Sequence, residues 1–454
     1  MNLPKSRLGA ILVWLTCVFL FLSFATNFSS CVPGEKKYDT LVLLDWNLHF
    51  GPGYDSHGRD TMRQHYEDWV NHYIDSISKP GDFRRIRWSY CPCDSSLANL
   101  FAEVGTSGGS IPNPPPSPKP GPTGDYTLTT NFRVNIPEVM HEDKNDTSRI
   151  RFTGDPRADT TVLAVIDTGL DTVLLRGKPL DIIWANNMLW TEKGGSGIFN
   201  VIPGEAITML NDDSRVKHGT TAAGLALSQF EQHRKPRIMT IKAFDKDGKG
   251  SIYTVSCAMS YAIQKGVTAI NASWGYDAEF TDPVLESYFQ LANNRNIAMF
   301  AAAGNDPHEP HTPPYDPNEV IPNNELKDRH LFFPACMSDR LPNLVTVTGI
   351  NRPGNATKFT PCRYQYYSQT YVNLGVLNNP NCCIYFAPFH AGAVEGTSFA
   401  TPIATGQIMQ FLKPLPPGMA LNLQKLVNDN VAKYGIPHYT QNGNFIEFKN
   451  IRPQ

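Results

Sequence analysis

The sequence predicts an α/β fold: a doubly wound, mostly parallel sheet with helices on both faces, preceded by a small N-terminal α/β region. Short apolar or β-branched runs at Thr161–Ile166, Ile238–Ala243, Ala269–Ala272, Ala298–Ala302 and Leu344–Thr348 alternate with helical stretches of small residues. Each chemistry-bearing motif follows a strand or opens a helix, which is where parallel sheets gather their sites. At 454 residues the chain also exceeds one ordinary core, so smaller N-terminal material is expected beside one large domain.

The elements follow in chain order. Lys5 and Arg7 precede the 18-residue run Leu8–Ala25, interrupted only by small or hydroxylated residues, so 1–30 reads as an export signal. The run also reaches the lower limit for spanning a bilayer, which leaves a retained anchor as the alternative. No basic stop-transfer cluster follows, and polar Thr26, Asn27, Ser29 and Ser30 come next, which favours cleavage. Phe28-Ser29-Ser30-Cys31 resembles a lipoprotein box, in which Cys31 would carry the lipid. The expected location is therefore secreted or in the cell envelope, with membrane attachment through a Cys31 lipid or the apolar segment as the alternatives to release.

Residues 31–104 form an N-terminal propeptide or accessory region. Asp39–Asp45 has the pattern of a strand, and Asp60–Ile77 places Met62, Tyr66, Trp69, Val70, Tyr73 and Ile74 at helical spacing. Residues 105–124 hold seven prolines and five glycines, a linker composition that buries no core. Residues 125–454 are expected to form the large α/β domain.

With 40 basic and 42 acidic side chains the net charge is −2, and no basic block occurs, which excludes nucleic acid as a partner class. Nine cysteines in an exported chain permit disulfides, and the expected bridge joins Cys336 or Cys362 to Cys382 or Cys383. Cys91-Pro-Cys93 and Cys382-Cys383 lack the spacing of a tetrahedral metal site, so no metal is assigned to them.

Five motifs carry the chemistry. Val162–Asp167 is an apolar strand ending in a carboxylate, followed by Thr168 and Gly169. The Asp-Thr-Gly triplet also occurs in proteases that need two such aspartates to share one proton, but no second Asp-Thr-Gly or Asp-Ser-Gly exists here. His218 opens a helix of small residues, where its imidazole can meet a strand end and act as a base near neutral pH. Ser398 lies between Glu395-Gly396-Thr397 and a helix start, a turn that exposes a hydroxyl and aims backbone N–H groups outward. Pro402 is expected in the first turn of that helix. Ala301–Gly304 ends a strand at Asn305, whose amide N–H₂ can stabilise an oxyanion. Ser273, Trp274 and Gly275 end another strand as an edge on which an extended peptide can pair, and Ala303 and Gly304 complete the expected substrate-binding set.

Taken in order, Asp-Thr-Gly, His-Gly-Thr, Ser-Trp-Gly, Ala-Ala-Gly-Asn and Gly-Thr-Ser-Phe-Ala-Thr-Pro resemble the subtilisin-like serine protease family over roughly Ile136 to Ile451. The resemblance implies an endopeptidase acting on proteins or peptides through an acyl-enzyme. It implies Ser398 as nucleophile, His218 as general base, Asp167 as the carboxylate that orients it, and Asn305 as side-chain oxyanion donor. It implies no cofactor for catalysis and allows a structural calcium whose ligands are not assigned. Asp245–Ser251 has the start of a calcium loop, but Lys249 stands at a ligand position and Ser256 where the closing glutamate belongs. Thr221 and Phe399 depart from commoner family residues without removing a reacting group. Ser273–Asp277 also resembles the kexin-like branch, for which Asp277, Glu279 and Asp282 would supply acidity toward a basic substrate. Asp306–Asp328 is an acidic, proline-rich insertion beside the expected specificity pocket. Two other functions are consistent with the sequence: a catalytically silent binding protein on the same fold, and a binding module within 32–104 that the protease matures.

Overall fold

The computed structural model describes residues 40–45, 68, 71–72, 83–105, 126–130, 133–136, 139–141, 158–171, 199–202, 205, 211–215, 217–230, 235–306, 322–351, 359–377, 384–385, 393–431 and 439–447. The apolar run 8–25, Cys31, nearly all of 105–124, most of 60–77, Cys382 and Cys383 lie outside these. Among the described residues no helix is long and apolar enough to cross a membrane.

The main sheet is built from β1 (Ala158–Asp167), β2 (Phe199–Asn200), β3 (Lys235–Lys242), β4 (Ala269–Ala272), β5 (Ala298–Ala302), β6 (Leu344–Asn351), β7 (Leu374–Leu377) and β8 (Phe445–Glu447). Its order is β8-β7-β6-β5-β4-β1-β3-β2, all parallel, with the short strand Thr360–Pro361 antiparallel to β6. The sheet winds one way from β1 to β3 and the other way from β4 onward, so the carboxyl ends of β1 and β4 flank the crevice where such sheets hold their sites.

Helices α1 (His218–Ser228), α2 (Ile252–Gln264), α3 (Pro283–Asn294), α4 (Thr397–Met409) and α5 (Leu423–Asn430) cover the sheet. Alternation along β1 divides the core. Leu163 and Val165 pack with α1, α4 and α5, whereas Val162, Ala164 and Ile166 pack with α2 and α3. Both faces are thus buried, as continuous apolar strands require. The helix starts follow local chemistry. Ser251 and Thr254 cap α2 reciprocally, and Asp282 Oδ1 accepts from Val284 N at 2.9 Å and Leu285 N at 3.1 Å ahead of Pro283 at the start of α3.

The N-terminal region forms a four-stranded antiparallel sheet ordered Phe83–Cys91, Asp94–Gly105, Thr40–Asp45, Tyr126–Thr130. The strand expected at Asp39–Asp45 is present. Asp68, Asn71 and His72, within the expected helix, are helical. This sheet is fastened to the outer face of α2 and α3. Asp94 Oδ2 accepts from Ser260 Oγ at 2.6 Å and Tyr288 Oη at 2.7 Å, Gln264 donates to Cys93 O at 2.9 Å, and a disulfide joins Cys91 to Cys257.

That disulfide is one the expected pairing did not include; of the expected alternatives the one through Cys336 is not formed, and Cys382 and Cys383 lie outside the described residues. Cys336 is a buried free thiol that accepts from Phe332 N at 3.4 Å, and burial pushes its pKa up to about 12. Cys362 is disulfide-bonded. Cys93 lies 3.2 Å from Cys91 Sγ, so the three sulfurs of Cys91, Cys93 and Cys257 cluster, but two are consumed by the bridge rather than offered as thiolates.

Candidate active site

At the end of β1, Asp167 is buried and accepts from Thr168 N at 2.7 Å through Oδ1. The same oxygen lies 2.8 Å from His218 Nδ1, with neither side chain exposed to solvent. An ionised carboxylate only accepts, so Nδ1 carries the hydrogen and Nε2 is left as the basic nitrogen. The pair can meet because His218 is the first residue of α1 and Gly219 follows it. A Cβ at Gly219 would lie 2.4 Å from Gly169 O and 3.1 Å from Asp167 Cβ, so only glycine lets the helix start touch the strand end.

A second carboxylate, which the sequence reading missed, staples these two elements. Buried Asp212 accepts from Thr168 Oγ1 at 2.9 Å, Ser214 Oγ at 2.6 Å, and Thr220 N and Oγ1 at 2.9 and 2.8 Å. Thr168 Oγ1 in turn accepts from Gly219 N at 3.0 Å. Asp212 thereby satisfies a donor at the start of α1 that Lys217, with left-handed backbone and no capping bond, does not. An acidic residue before a helix opening was the only available signal.

Ser398 is the second residue of α4, after Gly396 at φ 117°. Its neighbour Phe399 packs on His218 with ring centroids 4.7 Å apart, which sets the two helix starts side by side. Asn305 follows β5. Its Oδ1 accepts from Thr397 N at 3.1 Å and Thr397 Oγ1 at 3.2 Å, while Gly304 N donates to Thr397 Oγ1 at 3.1 Å. A backbone N–H must donate, so the amide is oriented and Nδ2 faces the Gly396 turn, where a Cβ would be 3.0 Å away. Among the described residues, Ser398 Oγ, Asn305 Nδ2 and Asp167 Oδ2 are buried without a hydrogen-bond partner. Such atoms are costly in a dry interior and concentrate where a ligand or a reacting group completes them. Pro402 differs from expectation. It falls in the second turn of α4, where no N–H is available for the Ser398 carbonyl.

The expected substrate-binding residues lie at the ends of β4 and β5. Ser273 Oγ accepts from Asn271 Nδ2 at 2.9 Å, and Asn271 Oδ1 accepts from Thr405 Oγ1 of α4 at 3.1 Å. Trp274 is fully buried against Phe244 and Phe289, so its side chain belongs to the core and only its backbone lies along the edge. Ala303 N donates to Val347 O at 2.9 Å. Gly275 and Gly304 both back onto Phe332, which fills the space a Cβ would need at either position. Of the three acids considered for a basic substrate, Asp282 is the buried cap of α3, Asp277 lies 3.8 Å from His330, and Glu279 is exposed. Asp245 accepts from the N–H groups of Asp247 and Lys249, both at 2.9 Å, so its Oδ1 organises a tight turn.

The model of the subtilase family (Peptidase S8) matches residues 158–442. The chain belongs to the subtilase family. A thermophilic serine proteinase of Bacillus sp. (strain AK1) is 32% identical over 96 residues, 20% of this subtilase and 23% of that protein. This subtilase thus aligns with less than a quarter of that relative's length. Fervidolysin from Fervidobacterium pennivorans, a keratinolytic enzyme related to subtilisin, matches with a TM-score of 0.53 at 14% identity, over 92% of this chain and 61% of that one. At that identity the likeness is one of fold.

Proposed function

We propose that this subtilase is a serine endopeptidase that hydrolyses protein or peptide substrates through an acyl-enzyme. One observation carries the reading: the dry, 2.8 Å Asp167–His218 pair beside the helix turn that bears Ser398. A serine hydroxyl becomes an effective nucleophile only when a positioned base takes its proton and a carboxylate fixes that base's tautomer. In the proposed reaction, Ser398 Oγ attacks the scissile carbonyl and His218 Nε2 receives the proton. Asp167 stabilises the imidazolium, and the oxyanion accepts from Asn305 Nδ2 and the Ser398 N–H. His218 then protonates the leaving amine, and water hydrolyses the ester by the reverse sequence. The edge at Ser273–Gly275 would align the peptide as an added strand, with Ala303 and Gly304 lining the opposite side. The apolar run Leu8–Ala25 supports export, and the cysteine pairing fits an oxidising compartment.

A fluorophosphonate probe tests this. The matured protein should be labelled once, on the peptide containing Ser398, and Ser398→Ala should take no label while melting at the same temperature. Folded, matured wild-type protein that takes no label would leave the silent binding protein as the surviving reading.

A further inference from the structure

The two backbone segments that would border a substrate, Ser273–Gly275 and Ala303–Gly304, each end in a glycine, and the gap between those glycines is filled by the protein itself. A Cβ on Gly275 would overlap Cε1 and Cζ of Phe332 and lie 2.5 Å from Phe333 O. A Cβ on Gly304 would lie 2.8 and 2.9 Å from Cγ and Cδ1 of the same ring, and 2.5 Å from Cδ2 of Tyr366. Non-bonded carbons settle at about 3.5–4.0 Å, so these spaces are already taken. One edge of the Phe332 ring rests on the first wall and the opposite edge on the second. The two glycines make room for this ring rather than for a substrate's.

Several contacts hold the ring there, and Phe332 is 4% exposed. Leu331–Phe333 pairs antiparallel with Tyr276–Ala278, setting Asp277 opposite Phe332, and Phe332 N donates to Cys336 Sγ at 3.4 Å. Tyr366 packs T-shaped against Phe332 with centroids 5.8 Å apart, and His330 packs T-shaped against Tyr366 at 4.7 Å. Tyr366 is itself fixed at the second wall. Its N–H donates to Gly304 O at 2.9 Å, and its carbonyl accepts from Thr348 Oγ1 at 2.7 Å. Its hydroxyl donates to Asp277, which also lies 3.8 Å from His330, so that carboxylate is already partnered.

Ser398 and Asn305 set where the scissile carbonyl of a substrate must lie. Asn305 directly follows Gly304, so the residue bearing that carbonyl sits over the gap, and its side chain enters between Gly304 and Gly275. Gly275 N and O bond to Asn135 of the chain itself, at 3.2 and 3.1 Å, and a substrate strand would replace it on the edge. Phe332 does not belong to that strand, so exchanging one strand for another leaves the ring in place.

We propose that Phe332 is a specificity-determining side chain, a plug braced by Tyr366 that leaves room for only a hydrogen or a methyl group beside the scissile carbonyl, so that the protein cleaves after glycine or alanine. The inference rests on the endopeptidase reading and deepens it. Aromatic, long aliphatic and basic side chains are excluded at that position by overlap with the ring. Exclusion of the basic ones also removes the kexin-like preference for which Asp277 was considered.

The test digests a peptide library with the full chain and reads the cut sites by mass spectrometry. Wild type should cut after glycine and alanine with kcat/KM about 100-fold or more above that for phenylalanine or lysine at the same position. Phe332→Ala should raise kcat/KM for phenylalanine about tenfold or more and change that for alanine less than about threefold. Phe332→Val, which leaves a smaller void, should move the ratio the same way and less far. A role in stability alone would lower all substrates by one factor and leave the ratio as in wild type, which would overturn the inference. A wild type that labels at Ser398 and cuts after phenylalanine or lysine as readily as after alanine would overturn it too, leaving the endopeptidase reading intact. An uncut library together with an unlabelled Ser398 would remove both.

Discussion

Asn305 shows how one side chain can be positioned by another. Thr397 fixes its carbonyl end and leaves its amide N–H₂ buried toward the serine turn. Asn305→Ala and Asn305→Asp should each lower kcat by about 10²- to 10³-fold, with KM changed far less, because the lost donor acts on charge that develops in the transition state. A matching rise in KM with kcat preserved would assign Asn305 to ground-state binding instead. Alone, an asparagine after a small-residue strand end reads as a turn residue, and the oxyanion role was expected of Asn305 only from the ordered motifs around it. Asp212 was not legible, since its partners Thr168, Ser214 and Thr220 converge only after β1 and α1 pack. The Trp274 ring is core, as a lone aromatic at a strand end ordinarily is, which leaves only the backbone of its motif for the expected substrate edge.

Among the elements, α1 and α4 bring His218 and Ser398 together, and their approach depends on Gly406. A Cβ there would lie 2.1 Å from Ala226 O and 2.9 Å from Gln229 Cβ. Gly406→Ala should therefore separate the helices, costing about 1–3 kcal/mol of stability and lowering kcat more than KM. Thermal melts with steady-state kinetics check it, and an unchanged melting temperature would show that α4 can shift freely. At α3, Asp282→Ala should cost about 1 kcal/mol as a lost cap and leave the preference for basic over apolar peptides unchanged. A selective loss of basic substrates would reinstate Asp282 as a specificity residue. Strand runs and small-residue helices were readable because parallel strands buried on both faces must be apolar. Pro402 was misplaced by a turn because helix starts set by a left-handed glycine cannot be located from the residues alone.

At the scale of the whole molecule, the Cys91–Cys257 bridge joins the N-terminal sheet covalently to the parallel-sheet domain across 166 residues. Cys257→Ser should lower stability by about 2–4 kcal/mol without reductant and make the melting temperature less sensitive to reductant than in wild type, the remaining response belonging to the bridge at Cys362. A mutant whose melting still responds to reductant as wild type does would place the coupling elsewhere. The pairing was not legible in the sequence, because nine cysteines allow many connectivities and the Cys91–Cys257 approach exists only once the sheet packs on α2. The fold class was legible because strand and helix patterns repeat along most of the chain. The central claim, that Ser398 becomes acylated during turnover, is tested most directly by acid-quenching the enzyme during hydrolysis of an activated ester and mapping the added mass. The account predicts one substrate acyl group per chain, on the peptide containing Ser398 and absent from Ser398→Ala. Turnover with no acylated Ser398, undiminished in Ser398→Ala, would contradict it.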